Sequence, residues 1–256
     1  MAFIFNQFIY QPLYNLLIFT YNTLPFRDFG IAIIIVTAVI KLALIPLSRK
    51  QIESQKKMQE LQPKIKATQE KYKNDKEKQS RALMELYKEN KTNPFSGCLP
   101  MIIQLVFLIA IYRVLFNISK AGLMVNTTDL YSFVSNPGQI NKMFLGLIDL
   151  SSAINLNSVV LRDIPHIILV ILAAGSQYFQ TKMLMANQPA AQSNKKDAGD
   201  FSQIMSKQML YLGPLLTLFI GIKFPAGLAL YWLASTVFMI IQQYYIARES
   251  AAKHKS

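Results

Sequence analysis

Five stretches of this 256-residue chain are too apolar and too sparsely charged to be left in water, and they constrain the fold more than any other feature. A helix needs about 20 mostly apolar residues to cross the roughly 30 Å hydrocarbon core of a bilayer. Residues 28–48 meet that length with one internal cation, Lys41, and residues 98–117 meet it with Arg113 near one end. Residues 164–181, 209–222 and 226–247 carry no charge at all, and only KFP, at the start of KFPAG, separates the last two, which predicts a tight antiparallel pair. Between the first two spans the character inverts: 20 of the 41 charged residues lie from Arg49 to Lys91. Apolar residues make up 52% of the chain and there is a single cysteine, so collagen, disulfide scaffolds and disordered tails are excluded.

The expected fold is all-α: a polytopic membrane protein with a five-helix transmembrane core, a cytoplasmic antiparallel helical hairpin and an N-terminal interfacial helix. The net charge of +13 would suggest nucleic acid in a soluble protein. Here topology accounts for it, because basic residues near span ends resist translocation. Thirteen basic residues put 49–92 in the cytoplasm, while the 118–163 connection, with three basic and three acidic residues, reads as external. Lys182, Lys195, Lys196 and Lys207 mark 182–207 as cytoplasmic, and Arg248, Lys253 and Lys255 mark the 248–256 tail likewise. The chain is therefore expected in the plasma membrane with its N-terminus outside, its first span at 26–48 and spans two to five within 93–247.

Residues 1–25 lack a basic start and a small-residue cleavage site, which argues against a cleaved signal. Gln7, Gln11, Asn15 and Asn22 recur near helical spacing, as on an amphipathic helix lying in the interface. Within 49–92, Ile52, Met58, Leu61 and Ile65 before the KNDK break and Leu83, Leu86 and Tyr87 after it suffice for a thin hairpin without its own core. Its cations keep it out of the membrane, and they also suit anionic lipids, a ribosome, a translocon or a targeting receptor. No aromatic interleaving or glycine-rich phosphate cradle is present, so DNA is not an expected partner. Cys98 reads as a small apolar core residue.

Lys41 carries the functional argument. An ammonium deep in a bilayer costs about 2.5 to 3.5 kcal/mol even on lenient insertion scales. Snorkelling towards the near end of its helix would explain Lys41 taken alone. Polar residues elsewhere favour a wetted cavity: Thr37 and Ser48 share its helical face, Gln104 and Tyr112 lie on the second span, and Ser176, Gln177, Gln180 and Thr181 on the third. Tyr231, Ser235 and Gln242 follow helical spacing on the fifth. A small-solute transporter or channel could use the same cavity, although no repeat supports it. An intramembrane enzyme fails on inventory, with two histidines, no HExxH and no GxSxG; His166 reads as an interfacial residue, and neither a metal nor another cofactor is expected.

The segments IKLALIPL (Ile40–Leu47), KKMQELQPKIKATQEKYKND (Lys56–Asp75), NPFSGCLPMIIQ (Asn93–Gln104) and FPAGLALYW (Phe224–Trp232) resemble the YidC/Oxa/Alb family of membrane protein insertases, in order and spacing across residues 10–247. The resemblance implies a groove open to cytoplasm and lipid and closed outside. It implies a basic groove residue at Lys41, where the family usually has arginine, and a polar one at Gln104. The changes to Ala226 and Val106 leave the surface apolar, and the short tail after Ala247 is expected to add little ribosome binding. Nascent membrane proteins are the implied partners. Lys41, Thr37, Gln104, Tyr112, Gln177, Tyr231 and Ser235 are then the expected groove residues, and Leu105, Val106, Leu215 and Leu218 the expected slide for a departing apolar helix.

Overall fold

The structure is a computed structural model that describes residues 2–93, 99–156, 158–185 and 201–253. Cys98 lies outside the described residues, as do Lys195 and Lys196. The first element is one continuous helix from Ala2 to Thr23: Ala2–Phe5 (α1), a π-helical stretch Asn6–Tyr10, and Gln11–Thr23 (α2). The widened turn sits just before Pro12, which has no N–H for the carbonyl one turn back and whose ring would crowd it.

Phe29–Ala43 (α3) starts at Asp28, whose carboxylate accepts from the Ile31 N–H at 3.0 Å. The 28–48 span is not straight. α3 ends at Ala43, and Ile45–Lys71 (α4) leaves at 64° to it. Pro46 explains the break, since it offers no N–H to the end of α3 and disfavours helical backbone just before it. At 1.5 Å per residue the 15 residues of α3 cover only about 22 Å.

After a turn at 72–75, Lys76–Glu89 (α5) folds back on α4, with Gln79 Nε2 donating to the Gln69 carbonyl at 2.8 Å. Asp75 caps α5 through the Lys78 N–H. Leu61 and Ile65 are buried on α4.

Leu99–Lys120 (α6), Ile164–Met185 (α7), Phe201–Lys223 (α8) and Ala226–Lys253 (α9) complete the helices. By length and composition three are long and apolar enough to cross a membrane, at Ile102–Lys120, Leu161–Leu184 and Ala226–Ile246; the bent α3–α4 pair makes a fourth if it counts as one span. The apolar part of α8, Leu210–Lys223, is shorter than a full crossing. Helix also replaces expected loop: α8 begins at Phe201 and α9 runs to Lys253, beyond the predicted ends of the 182–207 connection and of the fifth span.

α9 is the hub, packing against α7, α3, α6 and α8, while α7 and α8 lie along each other. In lipid, helices associate through close packing and polar bonds rather than through water exclusion. Gly221 of α8 sits against Val170 of α7, and His166 Nε2 lies 3.0 Å from the Gly221 carbonyl oxygen. His166 is therefore buried, not interfacial as expected, because the α8 backbone offers it a partner that no sequence pattern reveals.

The loop between α6 and α7 holds the only strands among the described residues, an antiparallel pair Met143–Phe144 (β1) and Ile148–Asp149 (β2), a small addition to the all-α expectation. Leu145 and Gly146 supply the two left-handed residues its tight turn needs. Phe144 lies so close over Gly30 that any Cβ there would collide with its ring, and Leu145 N donates to Asp28 at 2.7 Å. Gly227 and Ala226 donate to the Leu150 and Ser152 carbonyls.

α2 joins this closure. Asn15, expected on a headgroup-facing stripe, is buried instead, donating to the Asp129 carbonyl at 2.8 Å and accepting from Tyr131 N at 2.7 Å. Tyr14 Oη accepts from Asn126 N at 2.8 Å and Tyr21 Oη from Asn141 N at 2.9 Å. The bundle thus has a loop end, where α2 is tied to the loop that follows α6, and a hairpin end carrying α4 and α5.

Candidate functional site

Three helices bring one polar residue each to a common point near the hairpin end. Lys41 lies two residues before the end of α3, and its Nζ donates to Gln104 Oε1 of α6 at 2.9 Å. Ser235 Oγ of α9 donates to the same oxygen, also at 2.9 Å. The buried Tyr231 hydroxyl, one turn earlier on α9, is within hydrogen-bonding reach of Ser235 and Gln104. One amide oxygen is therefore the acceptor for an ammonium and a hydroxyl, while Gln104 Nε2 is buried with no partner among the described residues.

The electrostatics follow from that list. Lys41 has no carboxylate within ion-pair distance among the described residues; its partner is a neutral amide. A neutral acceptor orients an ammonium but leaves its charge unbalanced, whereas an anion would bind through a stronger, charge-assisted bond. The arrangement can therefore exchange an amide oxygen for a carboxylate.

Thr37 is on the same helix one turn away, but it is buried and its hydroxyl donates to the Ile33 carbonyl of its own helix at 2.6 Å. Tyr112 does not reach the cluster: its ring packs edge-on against Phe224 and tilted against Phe116, towards the loop end. Gln177 forms a separate junction, its Oε1 accepting from Trp232 Nε1 at 3.1 Å and Thr236 Oγ1 at 3.3 Å. Trp232 and Thr236 were missed in the sequence. The signal was available, because an indole N–H in a span must find an acceptor. Ser176 and Thr181 donate to carbonyls of their own helix, and Gln180 Nε2 to Met239 Sδ.

Among the apolar candidates, Leu105 and Leu215 are 52% and 63% exposed, Val106 is half-buried, and Leu218 packs against the core. Arg113 stacks over the Phe5 ring at 5.1 Å. A cavity of about 730 Å3 opens at the hairpin end between the α3–α4 bend and α9, from Leu42 and Ile45 to Phe238 and Ile241. Lys41, Gln104 and Ser235 do not line it, so it is not the wetted recess expected around the cation.

The matches to known proteins cover the same elements. The family model described as 60Kd inner membrane protein matches residues 19–254. A protein of Fusobacterium nucleatum named membrane protein insertase YidC is 32% identical over 247 residues, 96% of this chain and the whole of that protein. The chain belongs to the YidC/Oxa/Alb family. Other YidC relatives are longer: the Geobacter sulfurreducens protein is 36% identical over 93% of this chain, and that of Rickettsia massiliae 31% over 93%. The chain spans only 37% and 38% of those two. Family membership, with several apolar helices, makes this a multi-pass protein of the cell membrane.

Proposed function

We propose that this chain is a membrane protein insertase, which moves short hydrophilic segments of nascent membrane proteins past its cation and releases their apolar helices to lipid. The observation that carries this reading is the Lys41 ammonium, held at 2.9 Å by a neutral amide rather than by an acid. The barrier to inserting a membrane protein is desolvation of charge and backbone. An ammonium part-way across the bilayer offsets that cost for an acidic segment, and Gln104, Ser235 and Tyr231 supply exchangeable hydrogen bonds beside it.

In this reading α3, α6, α7, α8 and α9 form a five-helix core, with the loop end outside and the hairpin end in the cytoplasm. The hydrogen bonds that tie α2 to the loop after α6 support a groove closed on that side. The exposed Leu105 and Leu215 support a lipid-facing exit for the substrate helix. Burying that helix, at about 25 cal/mol per Å2 of apolar surface, and the membrane potential acting on negative charge supply the energy, with no nucleotide. The basic hairpin docks the ribosome, a translocon or a targeting receptor. A reconstituted insertion assay tests the reading: Lys41→Ala is expected to slow substrates with acidic N-terminal tails while Lys41→Arg does not, and equal rates for parent and Lys41→Ala would refute it.

A further inference from the structure

The cavity at the α3–α4 bend has no part in the function proposed above. The 64° turn after Ala43 swings α4 away from the last turns of α9 and opens about 730 Å3 between them, within the size range of small-molecule sites. Its walls are apolar, with Leu42 and Ile45 on one side and Phe238 and Ile241 on the other, and its rim carries Arg49 from α4 and Arg248 from α9. Depth sorts these groups. The apolar span of α9 ends at Ile246, so the wall residues lie at hydrocarbon level and Arg248 just beyond it, where headgroups begin. Gln242 also lines the cavity, 9% exposed, with its Nε2 unpartnered among the described residues.

We propose that this recess binds one anionic phospholipid, with the phosphate held by Arg49 and Arg248 and an acyl chain lying along Leu42, Ile45, Phe238 and Ile241. Two guanidinium groups match a phosphodiester, which they grip through paired N–H donors. A soluble anion would leave the apolar walls uncovered, and a substrate's apolar helix would bring nothing for the arginines. The proposal rests on the chain being embedded in a bilayer and is independent of what the Lys41 cluster does.

Native mass spectrometry of the whole protein released from detergent, with dioleoyl phosphatidylglycerol or dioleoyl phosphatidylcholine added, tests it. The parent is expected to retain phosphatidylglycerol in preference to phosphatidylcholine. The Arg49→Gln/Arg248→Gln pair, which removes the charge, and Ile241→Trp, which fills the recess, are each expected to lower that retention by at least about tenfold. Four results would overturn the proposal: undiminished retention in both variants, equal retention of the zwitterionic lipid, glycerol phosphate binding as well as the lipid, or a photo-crosslinker at position 241 capturing nascent chain instead of lipid.

Discussion

Replacing Gln104 by glutamate would give Lys41 a permanent counter-ion. The substitution is nearly isosteric, keeps an oxygen where Oε1 now accepts from Lys41 and Ser235, and removes the Nε2 that has no partner among the described residues. At the observed 2.9 Å, with an effective dielectric constant of about 20, opposite unit charges attract by about 6 kcal/mol. Desolvating the carboxylate offsets several kcal/mol of that, leaving about 1.5 to 3 kcal/mol, the range of hydrogen bonds to charged groups. Gln104→Glu is therefore expected to raise the melting temperature in detergent while slowing insertion of an acidic-tailed substrate, because the substrate carboxylate must now displace a charged rival. Each 1.4 kcal/mol so imposed is about a tenfold loss of rate. Gln104→Met, which removes the acceptor without adding charge, should melt lower. Unchanged insertion by a Gln104→Glu variant that does melt higher would refute the idea that Lys41 must be free to change partners.

Other perturbations probe the scaffold. Gly30→Ala places a Cβ against the Phe144 ring and should destabilise the protein by about 1 to 3 kcal/mol, as overpacking does, with Phe144→Ala in the same chain restoring much of the loss in a thermal melt. Asn15→Leu leaves the Asp129 carbonyl and Tyr131 N–H without their partner and should cost about 1 to 3 kcal/mol, read as faster hydrogen exchange across residues 126–131; unchanged exchange would show that α2 does not anchor the loop. The Asp75 carboxyl is held below the usual carboxylate range by the Lys78 backbone N–H and then by the Lys78 side chain. Its stabilisation of α5 is present above the unfolded value of about 3.9 and is lost as pH falls through the lower folded value. Exchange protection in the first turn of α5 should therefore drop below about pH 4, and Asp75→Asn, which keeps a cap, should abolish that pH dependence.

The helices were legible because hydrocarbon and water impose opposite compositions, and the positions of Lys41, Gln104 and Ser235 stood out because a polar side chain in a span requires a partner. Their meeting at one amide oxygen did not follow from spacing, which fixes a residue's face but not which helix that face meets. The bend after Ala43 was legible in principle from Pro46 and was overlooked because the run stayed apolar through it. Asn15 looked like an interfacial residue because amphipathic spacing is the same whether the polar stripe meets headgroups or the carbonyls of a loop more than a hundred residues away. Tyr112 shows the converse: a hydroxyl on the expected face whose ring is held by Phe224 and Phe116 instead.

A double-mutant cycle across protein and substrate tests the central claim most directly. Insertion rates would be measured for parent and Lys41→Ala, each with a substrate whose N-terminal tail carries aspartates and with the same substrate bearing asparagines. If the ammonium leaves Gln104 for a substrate carboxylate, the two changes should be coupled, the asparagine tail being indifferent to the loss of Lys41 and the aspartate tail sensitive to it. Equal losses with both tails would contradict the account and reduce Lys41 to a strut between α3 and α6.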